Sequence, residues 1–283
     1  GTIADIAPSI TLAITSPTNG ETIVQPDVNV QGAFINTTGN ETGVTVNGIV
    51  ASVYGNQFIA NHVPLTEGAN TINVAATDST GNTASAVVSL NAVTTGDYVR
   101  LTDNPESGVA PLESTLTLNS SFSIVQSSLN VSGPAQPEYL SSSPDEYRVR
   151  IRTEGIYTFS VSTTGPDGNS YQDSVSIIVL NKNQLDKLLK MKWEGMRGQL
   201  SSQDVDGAVG YFETNSQEVY RNQFTDLSSI LPIIGNDMGQ IQLLTIKDNE
   251  AEYEIIVTRN SVIYSFHLLF VKDGNGFWKI RKF

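Results

Sequence analysis

GANTINVAATDSTGNTASAVVSL (residues 68–90) recurs without a gap as GIYTFSVSTTGPDGNSYQDSVSI (155–177), at a constant offset of 87 residues. Eight of the 23 positions are identical: Gly68/Gly155, Thr71/Thr158, Val74/Val161, Thr77/Thr164, Gly81/Gly168, Asn82/Asn169, Val88/Val175 and Ser89/Ser176. Each copy alternates polar and apolar residues, crosses a polar Gly-Asn turn, and alternates again. That pattern predicts a hairpin of two half-buried strands. Its return after about 90 residues predicts one β-sandwich per copy, two in tandem.

Short strands punctuated by turns extend outward from the first copy. SITLAITSP (9–17) alternates Ile10, Leu12 and Ile14 before Pro17, and TNG (18–20) turns the chain. DVNVQGAF (27–34) places Val28 and Val30 on one face, and QFIANHVPL (57–65) directs Phe58 toward the core. Asn47-Gly48, inside VTVNGIVASV (44–53), is a two-residue hairpin signal because both positions tolerate positive φ. ITSPTNG, VQG, VTVNG, the Phe58 strand and VPLTEGANTINVAATDSTGN, in that order, resemble the bacterial immunoglobulin-like domains of the glucodextranase-domain-B type. The resemblance implies a spacer, adhesive or accessory module of an exported protein, and no catalytic residue.

The second copy closes YVRLT (98–102), STLTLNSSF (114–122), SSLNVSG (127–133) and EYRVRIR (146–152). PESGVAPLESTLTL (105–118) and EGIYTFSVSTTGPDGNS (154–170) resemble polycystic-kidney-disease-type immunoglobulin-like domains, without that family's Trp-Asp-Phe-Gly-Asp-Gly-like central segment. Arg148, Arg150 and Arg152 alternate and share one sheet face. They are expected to pair with Glu138, Asp145 and Glu154 as a solvated stripe, with acidic glycans the rival reading.

The period changes from two to 3.6 at NKNQLDKLLKMKWEGMRGQL (181–200), where Leu185, Leu189, Trp193, Met196 and Leu200 form an apolar stripe. A second helix is expected in SSQDVDGAVGYF (201–212) and a third over about 215–234, interrupted near Pro232. Four strands follow at 240–247, 251–259, 261–271 and 276–283, turned by DNE, RNS and KDGNG. Three helices before a four-stranded antiparallel meander that ends in FWKIRKF resemble the nuclear transport factor 2-like fold, a cone whose mouth holds small ligands in some members. The expected fold is thus multidomain: two immunoglobulin-like sandwiches (1–95 and 96–180), then an α+β cone (181–283).

Composition narrows the function. Residues 1–180 carry 4 basic against 16 acidic residues, whereas residues 181–283 carry 12 against 13. Phosphate and anionic-membrane contacts need clustered cations, so nucleic-acid binding is disfavoured, as is attachment to anionic membranes. No apolar run approaches the ~20 residues that span a bilayer. Cysteine is absent, so disulfides and thiolate metal sites are excluded. The chain is expected outside the cell or at its surface, its signal peptide not included in the sequence.

No cofactor is expected and no metal. Asp78, Thr80 and Asn82 suggest a calcium loop, but one carboxylate is a thin ligand set, and the same residues stabilise turns. His62, with no second His nearby, is expected to be structural or exposed. Tyr253 and Tyr264 share an apolar strand face and are the candidate pocket residues, yet no acid shares that face and His267 lies opposite it. A cone filled by Tyr253, Tyr264, Phe266 and Trp278 would leave only an assembly surface. An open cavity with Asp237, a glutamate or His267 turned inward would point to a small molecule.

The sequence therefore points to a non-enzymatic surface or matrix protein whose partners are other surface proteins or its own copies. Polysaccharide is the alternative partner, through Tyr54, Tyr139, Tyr147 and Tyr171. A third reading is an isomerase or dehydratase activity in the cone.

Overall fold

The computed structural model describes residues 9–283; residues 1–8, which begin the first expected domain, lie outside the described residues. The chain divides into two compact units. One is the sequence up to Leu180 with Gly274–Gly276; the other is Asn181–Asp273 with Phe277–Phe283.

The first unit contains two sandwiches built on one plan. In the first are β1 (Ile10–Ser16), β2 (Thr22–Ile23), β3 (Asp27–Asn36), β4 (Thr42–Val46), β5 (Ile49–Val50), β6 (Ser52–Tyr54), β7 (Gln57–Pro64), β8 (Gly68–Asp78) and β9 (Thr83–Ala92). They pair as β1-β3-β7-β6 and β2-β9-β8-β4-β5. In the second are β10 (Val99–Asn104), β11 (Ser107–Val109), β12 (Leu112–Ser120), β13 (Ser127–Ser132), β14 (Glu138–Ser142), β15 (Glu146–Ile151), β16 (Gly155–Thr164) and β17 (Ser170–Leu180). These pair as β10-β12-β15-β14 and β13-β16-β17-β11. Each pair of sheets closes on its own apolar core, one around Phe58, Val30 and Ile72, the other around Tyr157, Phe159 and Leu116. Both have a short strand running parallel to the last one, β2 on β9 and β11 on β17.

The repeated sequence is the final hairpin of each sandwich, β8–β9 and β16–β17. Its shared residues have two jobs. Val74, Val161, Val88 and Val175 are core side chains. Gly81 and Gly168 sit at φ +92° and +79°, where a side chain is strained. The backbone closes identically in both turns, Asp78 N–H to Asn82 C=O and Gly165 N–H to Asn169 C=O, each 2.9 Å.

The second unit opens with α1 (Lys182–Ser201), capped by the Asn181 side chain, which accepts from the Gln184 N–H. Its expected stripe is the buried one: Leu185, Leu189, Trp193, Met196 and Leu200. α2 (Val205–Val209) is capped by Asp204. The expected third helix is instead α3 (Thr214–Asp226), a 3-10 turn at Ser228–Ile230, and α4 (Leu231–Asp237). The break falls at Leu227 rather than near Pro232. A proline ring collides with the carbonyl four residues back in a continuous helix, but it fits a first turn, where Pro232 now lies.

The antiparallel meander β18 (Gln240–Lys247), β19 (Glu250–Arg259), β20 (Val262–Lys272) and β21 (Trp278–Lys282) completes the unit. α1 is tied to it by two hydrogen bonds. Trp193 Nε1 donates to the Gly239 carbonyl at 3.0 Å, and the Tyr253 hydroxyl donates to Asp186 Oδ1 at 2.9 Å. Phe212, Tyr220, Phe224 and Phe283 pack ring on ring beside Trp193.

Candidate functional site

Two places in the molecule concentrate functional chemistry. The first is an open pocket of about 390 Å³ in the second unit, between α1, α4 and the sheet. Trp193 forms its floor with Phe283, and Ile233, Ile234 and Met238 supply one wall. Ile255, Val257 and Phe266 supply the other, while Asp237 and Arg259 are its ionisable lining. Ile255 and Val257 alternate along β19, and Phe266 stands opposite Ile255, so strand periodicity places all three on one face. An apolar cavity with one cationic and one anionic group suits a small ligand with a hydrocarbon or aromatic body and a polar end.

Tyr253 and Tyr264 are not among the residues that line this pocket. Tyr253 is fully buried, edge-on to Phe270, and burial with the Asp186 hydrogen bond pushes its hydroxyl pKa far up. Its proton is committed to Asp186, an acid from α1 that strand alternation alone could not reveal. Tyr264, opposite Val257, is 46% exposed. Trp278 is buried and Phe266 borders the pocket, so the interior is neither filled nor lined as one simple pattern predicts. His267 points to the other face, 3.6 Å from Glu252. The pocket wall from α4 escaped sequence reading because one helix was expected where two form.

The second place is the joint between the two sandwiches of the first unit. β3 and β7 pair through Val28↔Val63 and Val30↔Ala60, so Asn29 faces two residues, Asn61 and His62. This is a β-bulge, and His62 adopts φ +51° within it. Asn29 Oδ1 accepts from the His62 N–H at 2.9 Å, which fixes the bulge and aims its side chains out of the sandwich.

They meet the side of β17 that β11 leaves uncovered ahead of Ile178. The amides of Gln25, Asn29 and Asn61 donate to the carbonyls of Gln172, Ser174 and Ser176. Asn61 also accepts from the Ser176 N–H at 3.1 Å. Three side-chain amides thus take the place of a neighbouring strand at alternate residues.

His62 itself bridges Asp27 and the second sandwich. Its Nδ1 lies 2.9 Å from Asp27 Oδ1 and its Nε2 lies 2.7 Å from the Leu101 carbonyl. Two acceptors call for two N–H donors, which only the imidazolium has. Burial works to lower the His62 pKa. The Asp27 hydrogen bond and charge, the Asp173 charge and the Leu101 carbonyl outweigh it and hold the pKa above the ordinary value. Arg100 lies 3.4 Å from the other Asp27 oxygen. Burial raises the pKa of Asp173, whose carboxylate accepts from the Leu101 N–H at 2.7 Å. Of the two readings the sequence left open for His62, structural or exposed, its position is the structural one, with partners 35 and 39 residues away.

The remaining candidates are local. Asp78 is buried and accepts from the backbone and side chains of Asn82 and Thr80 and from Thr38. The Asn82 side chain leads the bonds that hold its pKa well below the usual carboxylate range. That is turn chemistry. The arginine stripe pairs with Glu113 and Glu138, Arg150 reaching both, rather than with Asp145 and Glu154. Glu113 stands directly across from Arg150 in the β12–β15 register, which places it nearer than either expected partner. Of the four tyrosines proposed for sugar stacking, Tyr147 is buried and Tyr171 is held by Asp167 and packed on Phe122. Only Tyr139 among them is a large exposed ring.

A family model described as Glucodextranase, domain B, matches residues 10–93. The match supports an immunoglobulin-like domain over residues 10–93, the stretch whose motif order carries that resemblance. No curated protein matches the chain. Similar solved structures include the fibronectin(III)-like modules of Clostridium thermocellum CbhA, 19% identical over 60% of this chain and 94% of that one, with a TM-score of 0.23. The titin domains Z1Z2 in complex with telethonin are 11% identical over 60% of this chain and 98% of that one, TM-score 0.23. Bacteroides ovatus SGBP-B in complex with a mixed-linkage heptasaccharide is 13% identical over 60% and 47%, TM-score 0.20. Among the described residues, no helix is long and apolar enough to cross a membrane.

Proposed function

We propose that this chain is a non-enzymatic, modular protein of the bacterial surface or extracellular matrix. Two immunoglobulin-like sandwiches, the second of polycystic-kidney-disease type, form a stiffened spacer. A nuclear transport factor 2-like cone at its end docks other surface proteins or further copies of the chain. The observation that carries the reading is the joint, where Gln25, Asn29, Asn61 and His62 bond the main chain of the second sandwich. A flexible tether needs no such contacts, and a spacer does. The glucodextranase-type match supports an extracellular setting.

Catalysis is disfavoured on the chemistry of the pocket. Proton transfer beside a carbonyl needs a carboxylate or imidazole set among apolar walls, with a hydroxyl free to meet the oxyanion. Asp237 is exposed at the pocket wall, and the nearest buried hydroxyl, Tyr253, already donates to Asp186. The pocket serves better as a grip for an apolar group.

The test is co-sedimentation of the whole chain with a panel of insoluble polysaccharides. The spacer-and-docking reading expects the protein to stay in the supernatant. Pelleting that is lost in Tyr139→Ala would replace it with a carbohydrate-binding module.

A further inference from the structure

One length of β20 has no neighbour on its outer side. β19 pairs with β20 along its whole length, Glu250↔Val271 through Arg259↔Val262. β21 reaches only Leu269–Lys272. Among the described residues, Val262–Leu268 therefore presents an open edge of backbone N–H and C=O groups. The hairpin leading into it is tight, with Asn260 and Ser261 at φ +50° and +60°.

Natural sheets protect such edges with lysine, proline, inward charges or a covering loop, because any extended strand can pair with them. This segment, VIYSFHL, has none of those devices. Its side chains are β-branched or aromatic, and Val262, Ile263, Tyr264 and Phe266 are 51%, 71%, 46% and 53% exposed. An undefended apolar edge of this kind is a pairing surface.

The geometry points to a second copy of this chain as the occupant, added antiparallel across a twofold axis at Ser265. This rests on the docking role of the C-terminal unit and names its partner. In that register Tyr264 stands opposite the second copy's Phe266, and Val262 opposite its Leu268, on one face of the joined sheet. Ile263 meets His267 on the other face, and Ser265 meets itself. No two like charges oppose each other, and the cross-strand aromatic pair occurs twice. The balanced charge of residues 181–283 permits self-contact, which the acidic first 180 residues oppose.

Size sets the strength. Four half-exposed side chains, with aromatic rings of ~150–250 Å² each, offer roughly 400 Å² per chain. A pair then buries roughly 800 Å², below the ~1,200 Å² of stable complexes, so the dimer is weak and concentration-dependent.

Ser265 supplies a test specific to the register, because only the residue on the axis faces its own copy. Sedimentation velocity of the full chain over about two decades of concentration should show a monomer–dimer equilibrium. Ser265→Lys and Ser265→Glu should each raise the dissociation constant at least about tenfold, since like charges then meet. An equimolar mixture of the two should associate again, as lysine meets glutamate. Both substitutions are on an exposed strand surface, and the restored mixture shows that each variant is folded. Wild type that stays monomeric throughout overturns the proposal, and so does a dimer indifferent to both substitutions. Neither outcome touches the polysaccharide test of the wider reading.

Discussion

Asn61→Ala should uncouple the two sandwiches. The Asn61 amide makes two bonds to one peptide edge: its Nδ2 donates to the Ser176 carbonyl at 3.0 Å and its Oδ1 accepts from the Ser176 N–H at 3.1 Å. Ser176 is only 3% exposed, so alanine leaves both groups without a partner until water enters the joint. Each ordinary bond contributes about 0.5–1.5 kcal/mol net, and an orphaned buried group costs about 1–3 kcal/mol. A loss of roughly 1–3 kcal/mol is therefore expected for the pair. Asn61→Asp sharpens the experiment, because it keeps the shape but turns a donor into a carboxylate oxygen facing a carbonyl. It should destabilise at least as much as alanine. Urea unfolding followed by residue-resolved NMR would read the cost, and ¹⁵N relaxation would show whether the sandwiches still tumble together. The wild type should show one rotational correlation time for residues 9–180, and the variants two. If Asn61→Ala unfolds within about 0.3 kcal/mol of wild type and keeps common tumbling, the amide caps contribute nothing to the joint and the reasoning fails.

His62 gives the joint a pH dependence. Its folded pKa is raised, so its contribution is complete below the unfolded imidazole value of ~6.5 and lost as pH rises through the folded value. The melting-temperature gap between wild type and His62→Gln should therefore narrow from neutral toward alkaline pH, and a constant gap would contradict the imidazolium assignment. Gly32→Ala should destabilise the first sandwich by about 1–3 kcal/mol, because a Cβ there would run into the Phe58 ring and the Ala13 carbonyl; thermal denaturation checks it. Tyr253→Phe keeps the ring but removes the hydrogen bond to the Asp186 carboxylate. It should cost about 1–3 kcal/mol in chemical denaturation of the second unit while leaving pocket ligands unaffected, and weakened ligand binding would move Tyr253 back to the pocket.

What the sequence disclosed follows from how far each interaction reaches along the chain. The two hairpins were legible because period-two alternation and a left-handed glycine are written in adjacent residues. The α1 stripe was legible for the same reason. Two-residue β2 and three-residue β11 passed unseen, since strands so short carry no period. Helix α3 was run into α4 because Pro232 marks a start as readily as a stop. The candidate sites were harder still. His62 stands 35 residues from Asp27 and 39 from Leu101, and Asn61 stands 115 from Ser176. Nothing local marks such residues, except that Asn and His are among the few types able to occupy a bulge with positive φ.

The parallel pairing of β2 with β9 and of β11 with β17 has a mechanical meaning. In each sandwich an early strand and the last strand run the same way, so tension along the chain draws the two in opposite directions along their length. The bonds between them are then loaded together, in shear, where a hairpin pulled open at its ends would break them one at a time. The two-residue β2 shares this load with β1, which is itself drawn lengthwise against β3. A tandem made this way resists stretching through its topology, with no disulfide to lock it.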